Sequence, residues 1–343
     1  MFLVLYGFFA VNFVAFNGDV CRDLAAQFLA LAEKYGATVP TIIGQRLMGH
    51  SLLFTGDIEA GRAHYNQGLA LYDPAQHRPL ATRFGQDSRV SVLSYRSWAS
   101  WLLGYPEAAL TDSARALKDA HEIGQAATLM FALNYAAWTH TLCGNYAAVK
   151  PLLDEHVALA DEKGALYWKA LGMSVQGCVL ALTGKASSAV NVLTSGMTAL
   201  RSTGTTLYKP WFLSNLAIAY AELGQFDDAW RTIGEATTAI ETTKEKWCEA
   251  EVHRLAGEIA LRSPEPDTAK AQAYFERALA IARAQQAKSW ELRAATSMAR
   301  LWRDQGKPKQ ARELLAPVYG WFTEGFDTRD LKEAKALLDE LHD

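Results

Sequence analysis

Cysteine is scarce: four residues in 343, at positions 21, 143, 178 and 248, with no Cys-x-x-Cys pair. That spacing excludes a disulfide scaffold and a zinc ribbon. Cys143 and Cys178 fall on apolar helix faces, where a thiol behaves as a small hydrophobe, so a reducing cytosol is the expected compartment. An excess of one charge is also missing, with 34 basic against 37 acidic side chains, interleaved, for a net of −3. No whole-chain field therefore draws the protein onto nucleic acid or an anionic membrane. The densest basic cluster, Arg300, Arg303, Lys307, Lys309 and Arg312, is diluted by Asp304 and Glu313 and reads as a solvated helix end. No run reaches the ~20 apolar residues that span a bilayer.

Catalytic signatures are absent as well. No G-x-x-x-x-G-K-[ST] phosphate loop occurs; the nearest string, from Gly177 to Gly184-Lys185-Ala186, has six intervening residues and no hydroxyl residue. There is no H-E-x-x-H and no G-x-S-x-G. His253 follows Glu249 by four residues, a spacing that suits a solvated helix pair better than a ligand pair. No cofactor or metal is expected, and the chain reads as non-enzymatic.

What is present is a period. Gly104-Tyr105-Pro106, Gly144-Asn145-Tyr146, Gly184-Lys185-Ala186 and Gly224-Gln225-Phe226 recur every 40 residues, and Gly306-Lys307-Pro308 follows two steps later. Five residues past each glycine stands Ala109, Val149, Ala189, Ala229 or Ala311. Further members of the same face follow at steps of 4 and 3, which stay on one side of a helix. Seven residues before the glycine stand Ala137, Gly177, Ala217 and Ala299, small where two helices must approach. Each unit is a helix A, a glycine turn and a helix B. A fixed period in this range marks stacked repeats.

This placement of small residues resembles the tetratricopeptide repeat, with a longer period than the usual ~34. Earlier copies are traced at Gly56-Asp57-Ile58 and Gly18-Asp19-Val20. A weak one near 250–278 has the Pro-rich turn Ser263-Pro264-Glu265-Pro266-Asp267. The expectation is an all-α, right-handed superhelix of about eight helix pairs, one domain over 1–343, whose A helices line an extended concave surface. Residues 73–89 interrupt it: the Gly56-to-Gly104 step is 48, not 40. His77, Arg78, Arg83 and Asp87 give this inserted loop its charge, either as a functional site or as a plug for the groove.

Three stretches are more distinctive than generic repeat sequence: Tyr72-Asp73-Pro74-Ala75-Gln76-His77, Glu249 to Glu258, and Ala287-Lys288-Ser289-Trp290-Glu291 running on to Tyr319-Gly320-Trp321-Phe322. They resemble the C-terminal repeat region of large bacterial signalling ATPases. In that family the output domain is often a class III adenylate/guanylate cyclase or a winged helix. The resemblance implies the sensor or partner-docking part rather than the enzyme.

Aromatic residues recur sixteen positions before the turn glycine, at Trp168, Tyr208 and Trp290, with Lys169, Lys209, Glu291 and Arg293 beside them and Arg254 on an equivalent face. An aromatic, charged groove suits a protein or peptide segment or a small effector, and these eight are the expected groove residues. The competing reading packs the aromatics between pairs. The uncharged stretch Met1 to Phe16 reads as the first helix A. Its apolar side chains suggest that an upstream domain or a second copy packs there, so a homodimer through the N-terminal pair is the alternative, a passive scaffold. A nucleotide-enzyme fragment is the rival from another class.

Overall fold

The computed structural model describes residues 1–82 and 84–341, and no strand occurs among them. Eight helix pairs follow one another: α1 (Phe2–Val14) with α2 (Gly18–Tyr35), α3 (Thr38–Thr55) with α4 (Ile58–Ala70), α6 (Ser88–Leu102) with α7 (Pro106–Ile123), and α8 (Ala126–Leu142) with α9 (Tyr146–Glu162). The series continues with α10 (Leu166–Leu182) and α11 (Ala186–Ser202), α12 (Lys209–Glu222) and α13 (Phe226–Thr243), α14 (Glu249–Arg262) and α15 (Thr268–Ala284), and α16 (Lys288–Asp304) and α17 (Pro308–Gly320). Helix α18 (Arg329–Glu340) covers the last pair, and a short α5 (Pro74–His77) lies in the inserted loop. The repeat of helix pairs read from the sequence is the fold.

The local reasons are those of the repeat. Gly184 closes its helix at φ +73°, a left-handed conformation that L side chains rarely adopt, and Gly56, Gly104, Gly144, Gly224 and Gly306 do the same; Gly18 instead begins α2, and the positive φ before that helix, +27°, falls on Phe16. A second glycine series, Gly124, Gly164 and Gly204, ends the B helices twenty residues later, also at positive φ. At the next position of that series stands Lys244, which takes φ +63° without being glycine. Small residues on the A helices let the partners in: a Cβ on Gly177 would stand 2.7 Å from Leu193 Cγ and 3.0 Å from its backbone nitrogen. Where the Pro-rich turn replaces glycine, the Asp267 carboxylate accepts the Lys270 N–H at 2.9 Å and starts α15.

The superhelix turns tightly enough to touch itself. Thr206 and Leu207 donate their N–H groups to Val14 O, both at 3.1 Å, and Lys246 N–H reaches Phe54 O at 2.7 Å. The Ser289 hydroxyl reaches Trp101 O across 188 residues. Arg293 Nη2 donates to Leu142 O at 2.9 Å, and the Glu324 carboxylate accepts the N–H groups of Glu107 and Ala108 at the start of α7. One superhelical turn therefore closes on the next, and the axis is occupied by side chains of the A helices and of the segments that lead into them. Trp98, Trp138, Trp211, Trp247 and Trp290 meet there with Tyr95, Tyr135, Tyr208 and Phe54, all 2% exposed or less. Ring centroids lie 4.8 Å apart for Trp98–Trp138 and 5.5 Å for Trp211–Trp247, the range of favourable aromatic pairs.

This corrects the expected open groove. A concave surface is exposed only when the superhelix is wide; here the inward aromatics reach the axis and fill it. The inserted loop packs beside α1 and α3, with Phe84 edge-on to Tyr6 at 5.4 Å. His77 is buried and its Nδ1 accepts the Asp73 N–H at 2.8 Å. Asp87 is buried too: it caps α6 by accepting the N–H groups of Arg89 and Val90 at 2.9 and 3.0 Å, and it accepts the Tyr72 hydroxyl. Arg78 pairs with Glu122 at 2.9 Å on the outside. Arg83 lies outside the described residues.

Helix α1 has two apolar faces. Phe9 and Phe13 enter the core, and Phe13 stands edge-on to Phe54 at 5.3 Å. Leu3, Val4, Phe8 and Val11 remain on the outside, half-exposed or more. All four cysteines are buried and unpaired. Among the described residues no helix is long and apolar enough to cross a membrane.

Candidate ligand site at one mouth of the closed superhelix

The aromatic column leaves a cavity at each end. One, of about 250 Å³, opens beside α14, α16 and α18 and is polar. Arg254 grips Glu251 with two hydrogen bonds, of 2.7 and 2.8 Å, and reaches Glu258 at 3.1 Å. Arg293 lies between the Trp101 and Trp290 rings, 5.1 and 5.0 Å from their centres, and bonds Asp330 at 2.8 Å and Glu251 at 3.3 Å. Burial pushes the Glu251 carboxyl up, but Arg254 and Arg293 together outweigh it and hold the group below its ordinary value. Arg262 pairs with Glu222, and Arg300 and Arg329 both pair with Glu333. Every arginine at this mouth has a carboxylate, so the charge is satisfied within the protein.

The other mouth, of about 370 Å³, is apolar and differently made. Its wall combines Phe9, Ala10 and Phe13 of α1, Arg46 and His50 of α3, Tyr95 of α6, Phe131 and Tyr135 of α8, and Tyr167 and Trp168 of α10. Thr205 and Leu207, in the segment that pairs with Val14, complete it. Phe131 stacks on Tyr135 at 4.3 Å and meets Trp168 edge-on at 5.9 Å. The volume is within the ~300–1,000 Å³ of small-molecule sites, and a mainly apolar wall with a few polar groups is their usual make-up.

Three polar groups face this cavity from below. His50 Nδ1 shares a hydrogen bond of 2.8 Å with the Tyr65 hydroxyl. Burial, and secondarily Arg46, holds the His50 imidazole well below its ordinary value, so it is neutral. The hydroxyls of Tyr95, Tyr135 and Tyr208 meet one another, with Tyr95–Tyr208 at 3.3 Å. Burial raises Tyr135 and Tyr208 far above the ordinary phenol range and Tyr95 to about 12. Arg46 is 1% exposed; its Nη2 donates to the Tyr6 hydroxyl at 3.1 Å, while Nε and Nη1 have no hydrogen-bond partner. None of the described residues lining this cavity is acidic.

The residues expected in a groove are thus divided among several places. Trp168 lines the apolar cavity. Tyr208 and Trp290 are fully buried in the axial column. Arg254 and Arg293 converge at the polar mouth. Glu291 is buried and bonded to Arg283 at 2.9 Å and Lys288 at 2.7 Å. Lys169 pairs with Asp161 at 2.6 Å, and Lys209 lines a separate recess of about 230 Å³ formed by α11, α12, α13 and residues 205–207. The loop residues His77, Arg78 and Asp87 do not line the apolar cavity; Gln86, from the same loop, does. Sequence reasoning passed over Arg46, although a signal existed: it is the one Asp, Glu, Lys or Arg in the eighteen residues of α3.

Comparison with known proteins agrees with the fold. The tetratricopeptide repeat family model matches residues 210–233 and 292–317, within the pairs α12/α13 and α16/α17. No curated protein matches the sequence. Among solved structures, a Rap protein complexed with competence and sporulation factor aligns with a TM-score of 0.62 at 12% identity, covering 93% of this chain and 81% of that one. The apo form of RapI aligns at 0.53 and 12% identity, over 87% and 99%. A signal-transduction ATPase with numerous domains and a tetratricopeptide repeat sensor, from Pyrococcus horikoshii, aligns at 0.44 and 13% identity, over 95% and 49%.

Proposed function

We propose that this chain is a non-catalytic regulatory module that takes a small effector or the end of a protein segment into the apolar mouth. The observation that carries this is the composition of the cavity wall. It draws on the first five A helices and on residues 203–207, so it spans the closure between α1 and the sixth pair. An occupant there touches both sides of the closure and biases how tightly the superhelix shuts. A ligand shifts such an equilibrium only through contacts that differ between the two states, and this wall supplies them. The Rap protein solved with competence and sporulation factor shows a comparable fold with a bound factor and supports the reading. The resemblance to the repeat region of bacterial signalling ATPases supplies a setting, a cytosolic sensor that biases an output domain.

The test uses Ala10→Trp, which fills the cavity from α1. Apolar small molecules and short peptides are screened by thermal shift on both proteins. Hits should raise the melting temperature of the wild type and leave Ala10→Trp unmoved, and hydrogen exchange should slow in α1 and residues 203–209. Hits that shift both proteins equally would place binding elsewhere and sink the reading.

A second reading, an assembly scaffold, is favoured by one observation: the outer face of α1 exposes Leu3, Val4, Phe8 and Val11. Sedimentation decides it. A dimer that dissociates in Val4→Glu/Val11→Glu supports a scaffold, and a wild-type monomer at micromolar concentration rejects it.

A further inference from the structure

We infer that the apolar cavity takes a monoanion, a carboxylate carried on an apolar body, with the Arg46 guanidinium as its counter-charge. This rests on the reading of the cavity as a ligand site and names the chemistry of its occupant.

The argument begins with an imbalance. Buried charges in proteins are paired, because an isolated ion loses its hydration without recompense. Arg46 is 1% exposed and has two nitrogens without a hydrogen-bond partner; among the described residues it makes no ion pair, and it donates to the Tyr6 hydroxyl. The Tyr6 ring, 5.6 Å from the guanidinium carbon, offers a weak cation–π contact. His50 is neutral, and no described residue of the wall is acidic. The same fold pairs its arginines fully at the other mouth, where Arg254 and Arg293 share Glu251. The missing carboxylate therefore distinguishes this mouth from the other.

Geometry supplies the way in. Tyr6 accepts from Arg46 Nη2 and donates its own hydroxyl proton to Phe84 O at 2.7 Å. Tyr6 lines the same cavity and sits on α1, a helix whose outer face is exposed. Turning Tyr6 aside frees Nη2 beside the unpartnered Nη1, and the two together present the fork that a carboxylate accepts in bidentate fashion. The remaining wall, Phe9, Phe13, Phe131 and Trp168, offers apolar faces to the rest of the ligand. A phosphate monoester, carrying close to two charges, would leave one charge uncompensated, so the single guanidinium selects a monoanion.

Such a group has two sources, a free organic acid or the C-terminal carboxylate of a protein segment ending in apolar residues. Isothermal titration with matched pairs separates charge from shape: decanoate against decanol, and the tripeptide acetyl-Ala-Phe-Leu as free acid against its C-terminal amide. In the wild type, one acid should bind at least tenfold more tightly than its neutral partner, and the pair that discriminates identifies the source. In Arg46→Met the preference should vanish while the neutral partner still binds; in Arg46→Lys part of it should remain. Should Arg46→Met fail to fold, the Lys variant and the wild-type pairs decide. Acid and neutral partner binding equally to the wild type, or an acid preference that survives in Arg46→Met, overturns the proposal while leaving the cavity as a neutral-ligand site. No binding by any of the four probes overturns it together with the reading of the cavity.

Discussion

Glu245 accepts the backbone N–H of Tyr208 on both carboxylate oxygens, each at 3.1 Å. Tyr208 holds φ +69°, a left-handed conformation unfavourable for a residue with a side chain. The carboxylate also accepts the Trp247 indole N–H at 2.9 Å, so one buried acid fixes the strained residue from which Tyr208 enters the axial column. Two residues that the repeat would call unremarkable thus decide how the sixth and seventh pairs meet.

Burial raises the Glu245 carboxyl to about 8, against the hydrogen bonds from Trp247 and Tyr208 that favour its ionised form. A carboxyl with a raised folded-state value holds its proton where the unfolded chain has lost it. Its contribution to stability is therefore full below pH 4.5 and falls as pH rises toward 8, by at most about 1.4 kcal/mol per pH unit. Glu245→Gln should remove that slope. Melting temperatures at pH 5.5, 7 and 8.5 should show the variant gaining on the wild type at each step; parallel curves would refute the assignment.

Arg46→Met removes a buried cation that has no acidic partner among the described residues. Even a buried ion pair is often replaced by apolar side chains at no cost or with a gain of about 1–4 kcal/mol, and a buried cation with no acidic partner has less attraction to lose. The variant should melt higher than the wild type in the absence of any ligand. Stability spent on an unpaired charge is what a binding site shows, and a lower melting temperature would mean that the guanidinium is a structural group.

Two glycines separate backbone strain from crowding. A side chain at Gly184 meets open space but must adopt φ +73°, so Gly184→Ala should cost about 1–2 kcal/mol from the left-handed backbone alone. Gly177→Ala keeps an ordinary helical backbone yet places its methyl against Leu193, backbone included. It should cost as much or more, about 1–3 kcal/mol, through overpacking. Urea unfolding of the two variants checks both figures.

Deleting residues 1–16 removes Phe9, Phe13 and Phe16 from the core and the partner that accepts the N–H groups of Thr206 and Leu207. The shortened chain should bind an exposed-surface dye and melt well below the full chain. An equally stable product would mean that α1 is an appendage and that the cavity wall does not depend on it.

The helix pairs were legible because their causes are local. A left-handed glycine, a small residue at a close approach and an apolar stripe at steps of 3 and 4 each act within one 40-residue unit, and the sequence shows them directly. The site was only half legible. Trp168 was found on its period, but the same period picked out Tyr208 and Trp290, which are core. Arg46 was visible as a lone charge in an apolar helix, without anything to say which cavity it faced. What the tertiary structure alone decided was the closure. The contacts from Ser289 to Trp101 and from Thr206 to Ala15 join residues 188 and 191 positions apart. Whether a superhelix stays open or shuts depends on small rotations between successive pairs added over that length. No single repeat carries that sum, so the sequence determined the unit, and the packing of many units determined where a ligand can enter.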